Sequence, residues 1–229
     1  MLKIQRSLLV LGTAALCSLP AIADAQQYLQ TDEAAPWVEI SSIPNIGTIT
    51  PFTRNFSSSS DDGAAQINIP FDFQFLGTPH NTAYISTNGF LSFASASVTA
   101  YSNRGIPSTN TPNSIIAPWW DDLRNFNTEL GRTGVVGSAP NRIFVIQSDG
   151  LRDLSTSSGE IKYQIWLYEG DAGRFDVYLT GSNNASNVDA TSGYEGASAS
   201  PSGVFRACGS TASCSNSDFT ALTLSLIHI

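Results

Sequence analysis

Hydrophobic and polar residues alternate in short runs from residue 37 onward, and Gly, Pro, Asn and Ser interrupt these runs every few positions. Such a two-residue period predicts β-strands joined by turns, because successive side chains of a strand point to opposite faces. The clearest run is 67–75, and its core-facing residues are Ile67, Ile69, Phe71, Phe73 and Phe75. Pro70 has no N–H group to donate, so we expect this strand to lie at a sheet edge or to bulge at the proline.

Other segments show the same pattern. A tight hairpin is predicted at 83–93, because Asn88-Gly89 tolerates the positive φ angles of a short turn. Further strands are expected at 114–118, 142–147, 161–168 and 175–180. In contrast, 182–202 is rich in Asn, Ser, Ala and Gly without a clear period, which predicts a long surface loop or a mobile insertion.

These elements predict an all-β fold, an antiparallel β-sandwich of jelly-roll-like type. No amphipathic helix and no internal repeat is evident in the sequence. The remaining predicted core residues are Ile85, Leu91, Phe93, Ile143, Val145, Ile165, Leu167, Phe175 and Val177.

The N-terminus has the anatomy of a signal peptide. Lys3 and Arg6 precede the apolar run 8–19, and small residues lead up to Ala25. The run is short for a bilayer span, so we expect cleavage after Ala25 or Ala23 rather than a retained anchor. The sequence therefore predicts export by a Sec-type route to the exterior or the cell surface, with no membrane span in the mature chain.

The C-terminal stretch 224–229 reads as the translation of a transposase adapter used in sequencing libraries. On this interpretation, 1–25 is the signal peptide, 26–223 is a single domain truncated at its C-terminus, and 224–229 is an artefact. The alternative is that 224–229 is an ordinary hydrophobic strand.

Two cysteines are expected in the mature chain. Cys17 lies within the signal peptide, whereas Cys208 and Cys214 are separated by a short polar stretch. An oxidising compartment favours a local disulfide between Cys208 and Cys214. The alternative is a free, buried pair of thiols.

Charge narrows the range of partners. The formal net charge is −8, and it becomes −9 without the signal peptide, because Lys3, Arg6 and Asp24 are removed. This acidic balance argues against nucleic acid and anionic lipid as ligands. A cationic partner or calcium remains compatible with it.

Oxygen-bearing side chains cluster after the two adjacent tryptophans, and Ca²⁺ prefers such ligands. The candidate calcium ligands are Asp121, Asp122, Asn125, Asn127 and Glu129. The order of an EF-hand is missing, and neighbouring carboxylates on a strand point to opposite faces. The alternative is that Asp121 or Asp122 accepts backbone N–H bonds in a turn or pairs with Arg124.

Aromatic residues raise a second possibility. Trp119, Trp120 and Trp166 are candidate ligands for a sugar ring, which makes a carbohydrate-binding module the alternative function. Because adjacent residues of a strand face opposite ways, one of Trp119 and Trp120 is expected in the core, with the other exposed or capped by a loop.

Catalytic patterns are weak. His80 is the one histidine outside the suspected adapter, and it is expected in an exposed hairpin turn without a nucleophile motif nearby. A glycoside hydrolase would need only two carboxylates and is the enzymatic alternative. The sequence favours a non-catalytic protein with no resident cofactor other than a tentative calcium ion.

Four pieces of the chain together resemble the nidogen-like extracellular domain of animal matrix proteins and of many bacterial secreted and surface proteins. They are Asp61-Asp-Gly63 with the run 69–77, then 85–93, 115–123 and 163–169. The resemblance covers 37–181 and implies a β-rich module of a larger adhesive, matrix or surface protein, without catalytic residues to transfer. We therefore expect a recognition, adhesion or scaffolding module whose partner is an extracellular protein or glycan.

Overall fold

A computed structural model describes residues 28–32, 37–171, 173–183, 190–199, 202–206 and 222–228. The predicted signal peptide, the predicted Cys208–Cys214 disulfide and the whole segment 207–221 between the last two strands lie outside these residues. Within the described residues, one 3₁₀ turn, Ile40–Ser42, accompanies fourteen strands. The strands are β1 (Tyr28–Asp32), β2 (Thr50–Phe52), β3 (Ala64–Phe75), β4 (Thr78–Ser86), β5 (Leu91–Ser92), β6 (Ile115–Trp120), β7 (Leu123–Asn125), β8 (Gly131–Val136), β9 (Ile143–Asp153), β10 (Gly159–Tyr168), β11 (Phe175–Asn183), β12 (Thr191–Glu195), β13 (Ser202–Arg206) and β14 (Leu222–His228).

The strands form two antiparallel sheets that pack face to face. One sheet has the order β1-β14-β11-β10-β9-β8-β2, with β7 also paired to β9. The other has the order β13-β12-β6-β5-β4-β3. The predicted antiparallel β-sandwich is therefore confirmed.

The main core lies between the sheets and draws on the alternating faces of their strands. All five predicted residues of β3 are buried there, as are Ile165 and Leu167 of β10 and Phe175 and Val177 of β11. In β9, however, Phe144 and Ile146 enter this core, whereas Val145 belongs to a separate cluster and Ile143 is only partly buried. Val145 is fully buried as predicted, although in the separate cluster, whereas the prediction that Ile143 is a core residue was wrong. The opposite face of β9 points into the core between the sheets.

The expectations for β3 and its hairpin partners are confirmed. β3 is an edge strand, and its register with β4 shifts between Asn68 and Phe73, around Pro70. β4 pairs with β5 across the predicted turn, and Gly89 in that turn has a φ of +80°.

Two smaller apolar clusters cover the outer faces of the sandwich. On the six-stranded sheet, Phe90 and Trp120 pack with Ile106 of the long β5–β6 connection. On the eight-stranded sheet, Val145 packs under Ile40 and Ile43 of the 3₁₀ segment. Because both of its faces are covered, β6 is buried along its whole length, which explains its uninterrupted apolar run.

The prediction of one long surface loop at 182–202 was wrong. Thr191–Glu195 forms β12, which pairs with β6 on one side and β13 on the other. Ser192 and Glu195 are fully buried, and Ser192 donates a hydrogen bond to the carbonyl of Pro118. The pattern of hydrophobic residues did not predict this strand, because several of its buried residues are small or polar.

At the end of the chain, β14 pairs with both β1 and β11. This strand includes most of the suspected adapter stretch, and its adapter origin stays a prediction. No helix in the described part of the chain is long and apolar enough to cross a bilayer.

Candidate functional site

Three carboxylates from distant parts of the sequence meet at one end of the six-stranded sheet. Asp61 and Asp62 lie in the loop before β3, and Asp122 lies in the turn between β6 and β7. One carboxylate oxygen from each of them falls within 4.8 Å of the other two. We call these three residues the acidic corner.

Asn88 in the β4–β5 turn joins the two halves of this corner. Its side-chain amide donates to the Asp62 carboxylate at 3.0 Å and to the Thr99 carbonyl at 3.3 Å. Its side-chain oxygen accepts the N–H of Leu123 at 3.0 Å. Because Asn88 is fully buried, these bonds fix the position of the acidic loop relative to the β6–β7 turn.

Two glycines allow the close approach that this junction requires. A Cβ on Gly63 would lie 1.9 Å from the Ser59 carbonyl oxygen, and one on Gly89 would lie 1.8 Å from that of Trp119. The N–H of Gly63 donates to the Thr87 hydroxyl at 2.9 Å, and the N–H of Trp119 donates to the Gly89 carbonyl at 3.2 Å. Side chains at these glycines would push the corner apart.

The electrostatics of the acidic corner are unfavourable for three charges of the same sign. Burial raises the pKa of the Asp122 carboxyl above its usual range, and the charges of Asp61, Asp62 and Asp153 raise it further. Within the described part of the chain, the three carboxylates form no ion pair with Lys or Arg. The Oδ1 atom of Asp61 is buried there without a hydrogen-bond donor. A cation at this position would relieve the repulsion, and oxygen ligands suit Ca²⁺.

The corner overlaps the predicted calcium ligands only at Asp122. Asp121 is buried, and its Oδ1 accepts the N–H of Asp122 at 2.9 Å, which is the turn geometry given above as the alternative. Asn125 receives a hydrogen bond from the Arg54 guanidinium. Its own amide donates to the Glu129 and Asp149 carbonyls.

The two other predicted ligands also have protein partners. Asn127 is exposed and its amide donates to the Asp149 carboxylate at 3.4 Å. Glu129 forms an ion pair with Arg132 at 3.0 Å. Asn125, Asn127 and Glu129 therefore lie among guanidinium groups and amide donors, which are poor surroundings for a cation.

Asp61 and Asp62 were missed as ligands, although the sequence contained a signal for them. They form an acidic pair directly before Gly63 and the first long strand. Their proximity to Asp122 depends on the β3–β4 and β4–β5 pairings, which the local pattern around Asp122 does not reveal.

Several exposed hydrophobic side chains lie in chain segments that adjoin the acidic corner. They are Phe56, Tyr101, Phe126 and Leu154, with exposed fractions of 39–53%. Each belongs to a segment that is tied to the corner by hydrogen bonds. The Ser57 hydroxyl donates to the Asp62 carbonyl, the N–H of Asn125 donates to the Ser60 carbonyl, and the N–H of Leu154 donates to the Asp122 carbonyl.

Tyr101 is held through its neighbours in the β5–β6 connection. The Thr99 carbonyl accepts from Asn88, and the Ala100 carbonyl accepts from the Trp120 indole at 2.9 Å. We call Phe56, Tyr101, Phe126 and Leu154 the apolar rim.

Of the three tryptophans predicted as an aromatic platform, Trp119 and Trp120 are buried and Trp166 is partly buried. Trp119 is 2% exposed in the main core, and Trp120 is 0% exposed under the β5–β6 connection, with the Arg104 guanidinium 4.9 Å above its ring. One indole is thus in the core and the other is capped by a loop. Trp166 is partly buried beside Tyr178, with ring centroids 5.0 Å apart. Trp119 and Trp120 therefore offer no ring face to a sugar.

His80 lies in β4 rather than in the turn, because the β3–β4 turn is formed by Leu76 and Gly77. Its ring is partly buried and packs against Phe93 with a centroid distance of 4.9 Å. In the described part of the chain it forms no ion pair with an Asp or Glu. The expected placement of His80 in an exposed turn was wrong.

Comparison with known proteins gives one family. No curated protein matches the chain significantly, and no solved structure does. The sequence model of the family described as NIDO related matches residues 28–225, which span both sheets of the sandwich. The chain therefore belongs to the NIDO-related family and carries a nidogen-like domain.

Proposed function

We propose that this protein is a non-catalytic recognition or scaffolding module that acts outside the cell, as part of a larger secreted or surface protein. The acidic corner and the apolar rim form its recognition surface. The observation that carries the proposal is their convergence at one end of a nidogen-like sandwich, where loops from four parts of the chain meet.

The rigidity of these loops supports a binding role. Asn88 connects three of them through buried hydrogen bonds, so little conformational entropy remains to be lost on association. Binding residues are often found on loops that a rigid scaffold positions. A surface fixed in this way suits a preformed partner.

The chemistry of the surface favours a partner with positive charge and apolar groups. Three like charges that form no ion pair within the described part of the chain attract a cation, and exposed aromatic residues such as Phe126 and Tyr101 supply the contact area typical of protein interfaces. We infer an extracellular protein that presents Lys or Arg beside apolar side chains, with Ca²⁺ as a competing or bridging ligand. The acidic net charge of the chain argues against nucleic acid.

Export and lack of catalysis are parts of the same proposal. The basic and apolar order of residues 1–25 supports export. His80, the histidine that a Ser/His/Asp triad would need, packs on Phe93 at the far end of β4 from the acidic corner. These observations favour binding over hydrolysis.

The carbohydrate alternative based on exposed tryptophans loses support, because Trp119 and Trp120 are buried. A loss of sugar binding after mutation of either residue would therefore not distinguish a binding site from a damaged core.

The test is a binding assay of the whole protein on native cell-surface and extracellular-matrix preparations. The double variant Phe126→Ser/Tyr101→Ser should lose at least tenfold in affinity while its melting temperature changes little, since both side chains are exposed. The matched control Asp72→Ser/Gln74→Ser changes exposed residues of β3 and should bind as the wild type does. Equal binding by both double variants would contradict the proposed surface.

A further inference from the structure

A small cavity lies at the opposite end of the six-stranded sheet from the acidic corner. It has a volume of about 290 Å³ and opens between the β3–β4 turn, the end of β5, the start of β6 and the turn after β12. β4 runs from one end to the other, since Thr78 lines the cavity and Ser86 adjoins the corner turn. At 3.3 Å per residue, the two ends of β4 are about 26 Å apart, so the cavity is separate from the acidic corner.

Aromatic rings form one side of the cavity. Phe75 and Phe93 are stacked with a centroid distance of 4.4 Å, and His80 packs on Phe93. Both phenylalanines are buried, whereas His80 is only partly buried and presents part of its ring to the cavity.

Hydroxyl groups are distributed around the other sides. Thr78, Ser114 and Ser198 line the cavity, and their side chains make no hydrogen bond to other described residues. The backbone holds Ser114 in place, because its N–H donates to the Gly196 carbonyl at 3.3 Å. The hydroxyls of this preformed cavity can therefore exchange water for ligand groups.

The cavity is electrically neutral near pH 7. None of the described residues that line it is Asp, Glu, Lys or Arg. Burial lowers the pKa of the His80 imidazole below its ordinary value, which keeps the ring uncharged and leaves one nitrogen as a donor and the other as an acceptor. A charged ligand would find no counter-ion here.

We propose that this cavity binds one ring of an uncharged sugar, with an apolar sugar face against the imidazole of His80 and sugar hydroxyls bonded to Thr78, Ser114 and Ser198. The assignment rests on the proposed recognition function and names a glycan as a second ligand class, at a second surface. On this proposal the carbohydrate site is the cavity and not the buried tryptophans.

Size and polarity favour a sugar ring over an apolar peptide side chain. Binding sites for drug-sized ligands begin near 300 Å³, so the cavity has room for one ring rather than a chain of several. An aliphatic side chain would bury the three hydroxyls without bonding them, which carries a desolvation penalty. A neutral sugar ring can pack its apolar face on the aromatic side of the cavity while the hydroxyls at its edge bond to the hydroxyls of the cavity.

The test uses saturation-transfer NMR of the whole protein with a panel of methyl glycosides of glucose, galactose, mannose and N-acetylglucosamine. We expect saturation transfer to at least one of them. Ala197→Phe should fill the cavity and weaken binding of that glycoside at least tenfold, because Ala197 lines the opening and is exposed. Ala96→Phe is the matched control, since Ala96 is an exposed turn residue that does not line the cavity.

A second variant tests the cavity in case Ala197→Phe does not fold. Thr78→Val keeps a β-branched side chain at an exposed strand position but removes one hydroxyl, and it should weaken binding severalfold with an unchanged melting temperature. The proposal is overturned if no glycoside binds, if Ala197→Phe binds as well as Ala96→Phe, or if N-acetyl-leucine amide occupies the cavity in preference to every sugar. These results would leave the binding test of Phe126 and Tyr101 unaffected, so failure of the cavity and failure of the recognition surface are distinguishable.

Discussion

The side-chain amide of Asn88 donates a 3.0 Å hydrogen bond to the carboxylate of Asp62, and this bond joins the β4–β5 turn to the loop that precedes β3. The same side chain accepts the N–H of Leu123 at the start of β7. One buried amide therefore holds together the segments that carry the acidic corner.

Asn88→Ala should lower the free energy of unfolding by about 2–4 kcal/mol, because it leaves the buried N–H of Leu123 and the Thr99 carbonyl without their partner. Urea unfolding followed by fluorescence measures this change. Asn81→Ala, at an exposed position of β4, is the control and should stay within about 0.5 kcal/mol of the wild type. A loss below about 1 kcal/mol for Asn88→Ala would mean that the amide does not hold the loops together.

The pKa of Asp122 gives a prediction for pH. Its folded-state pKa is raised by burial and by neighbouring carboxylates. The Asp122 carboxyl therefore lowers stability as the pH rises above its unfolded pKa, and the loss is complete once the pH exceeds the folded pKa. Asp122→Asn should therefore raise stability at pH 7 in the presence of a chelator, by up to about 1 kcal/mol for a partly exposed group.

The advantage of Asp122→Asn should shrink as the pH falls through the folded pKa and vanish near the unfolded value, where the wild-type carboxyl is protonated in both states. Thermal unfolding between pH 4 and pH 8 tests this. Asp72→Asn, at an exposed position of β3, is the matched control and should change stability by less than about 0.5 kcal/mol. An advantage that persists unchanged at pH 4 would contradict the electrostatic explanation.

In the presence of calcium, Asp122→Asn should be less stable than the wild type instead of more stable. If Ca²⁺ binds the acidic corner, a calcium concentration one hundred times its Kd stabilises the fold by about 2.7 kcal/mol. Thermal unfolding with calcium and then with a chelator should show a rise for the wild type that Asp61→Asn and Asp122→Asn remove. Glu129→Gln should retain the rise, because Glu129 is paired with Arg132. Retention of the rise in Asp61→Asn together with its loss in Glu129→Gln would place the ion at the 121–129 segment instead.

Trp120 should behave as a core residue. Trp120→Ala removes a fully buried indole, its hydrogen bond to Ala100 and the surface under Arg104, so we expect a loss of about 3–5 kcal/mol in unfolding free energy. Tyr101→Ala, in the same connection but 53% exposed, should change stability by less than about 0.5 kcal/mol. Calorimetry of the two variants checks the contrast, and a small loss for Trp120→Ala would contradict its burial.

Local alternation was sufficient to predict the strands whose two faces differ. β3 and β10 show apolar residues at every second position, and both enter the core as predicted. Alternation does not identify the core-facing residues of a strand whose two faces are both buried. Val145 has an apolar cluster of its own beneath the 3₁₀ segment, and β12 contains a buried Glu195 that Arg104 pairs with at 3.3 Å.

The candidate site was harder to predict because it depends on long-range pairing. A search for calcium ligands within one short segment found Asp122 but joined it to Asn125, Asn127 and Glu129. The partners of these three residues are guanidinium groups, backbone carbonyls and the Asp149 carboxylate. The neighbours of Asp122 in space are Asp61 and Asp62, which the β3–β4–β5 hairpins bring to it.

The central claim is that the loops around the acidic corner recognise an extracellular partner, and biolayer interferometry with the intact protein on cell-surface preparations tests it most directly. The account predicts that Phe126→Ser/Tyr101→Ser loses at least tenfold in affinity with an unchanged melting temperature, whereas the control Asp72→Ser/Gln74→Ser retains full binding. Full binding by the Phe126→Ser/Tyr101→Ser variant, or an equal loss in both variants, would contradict it.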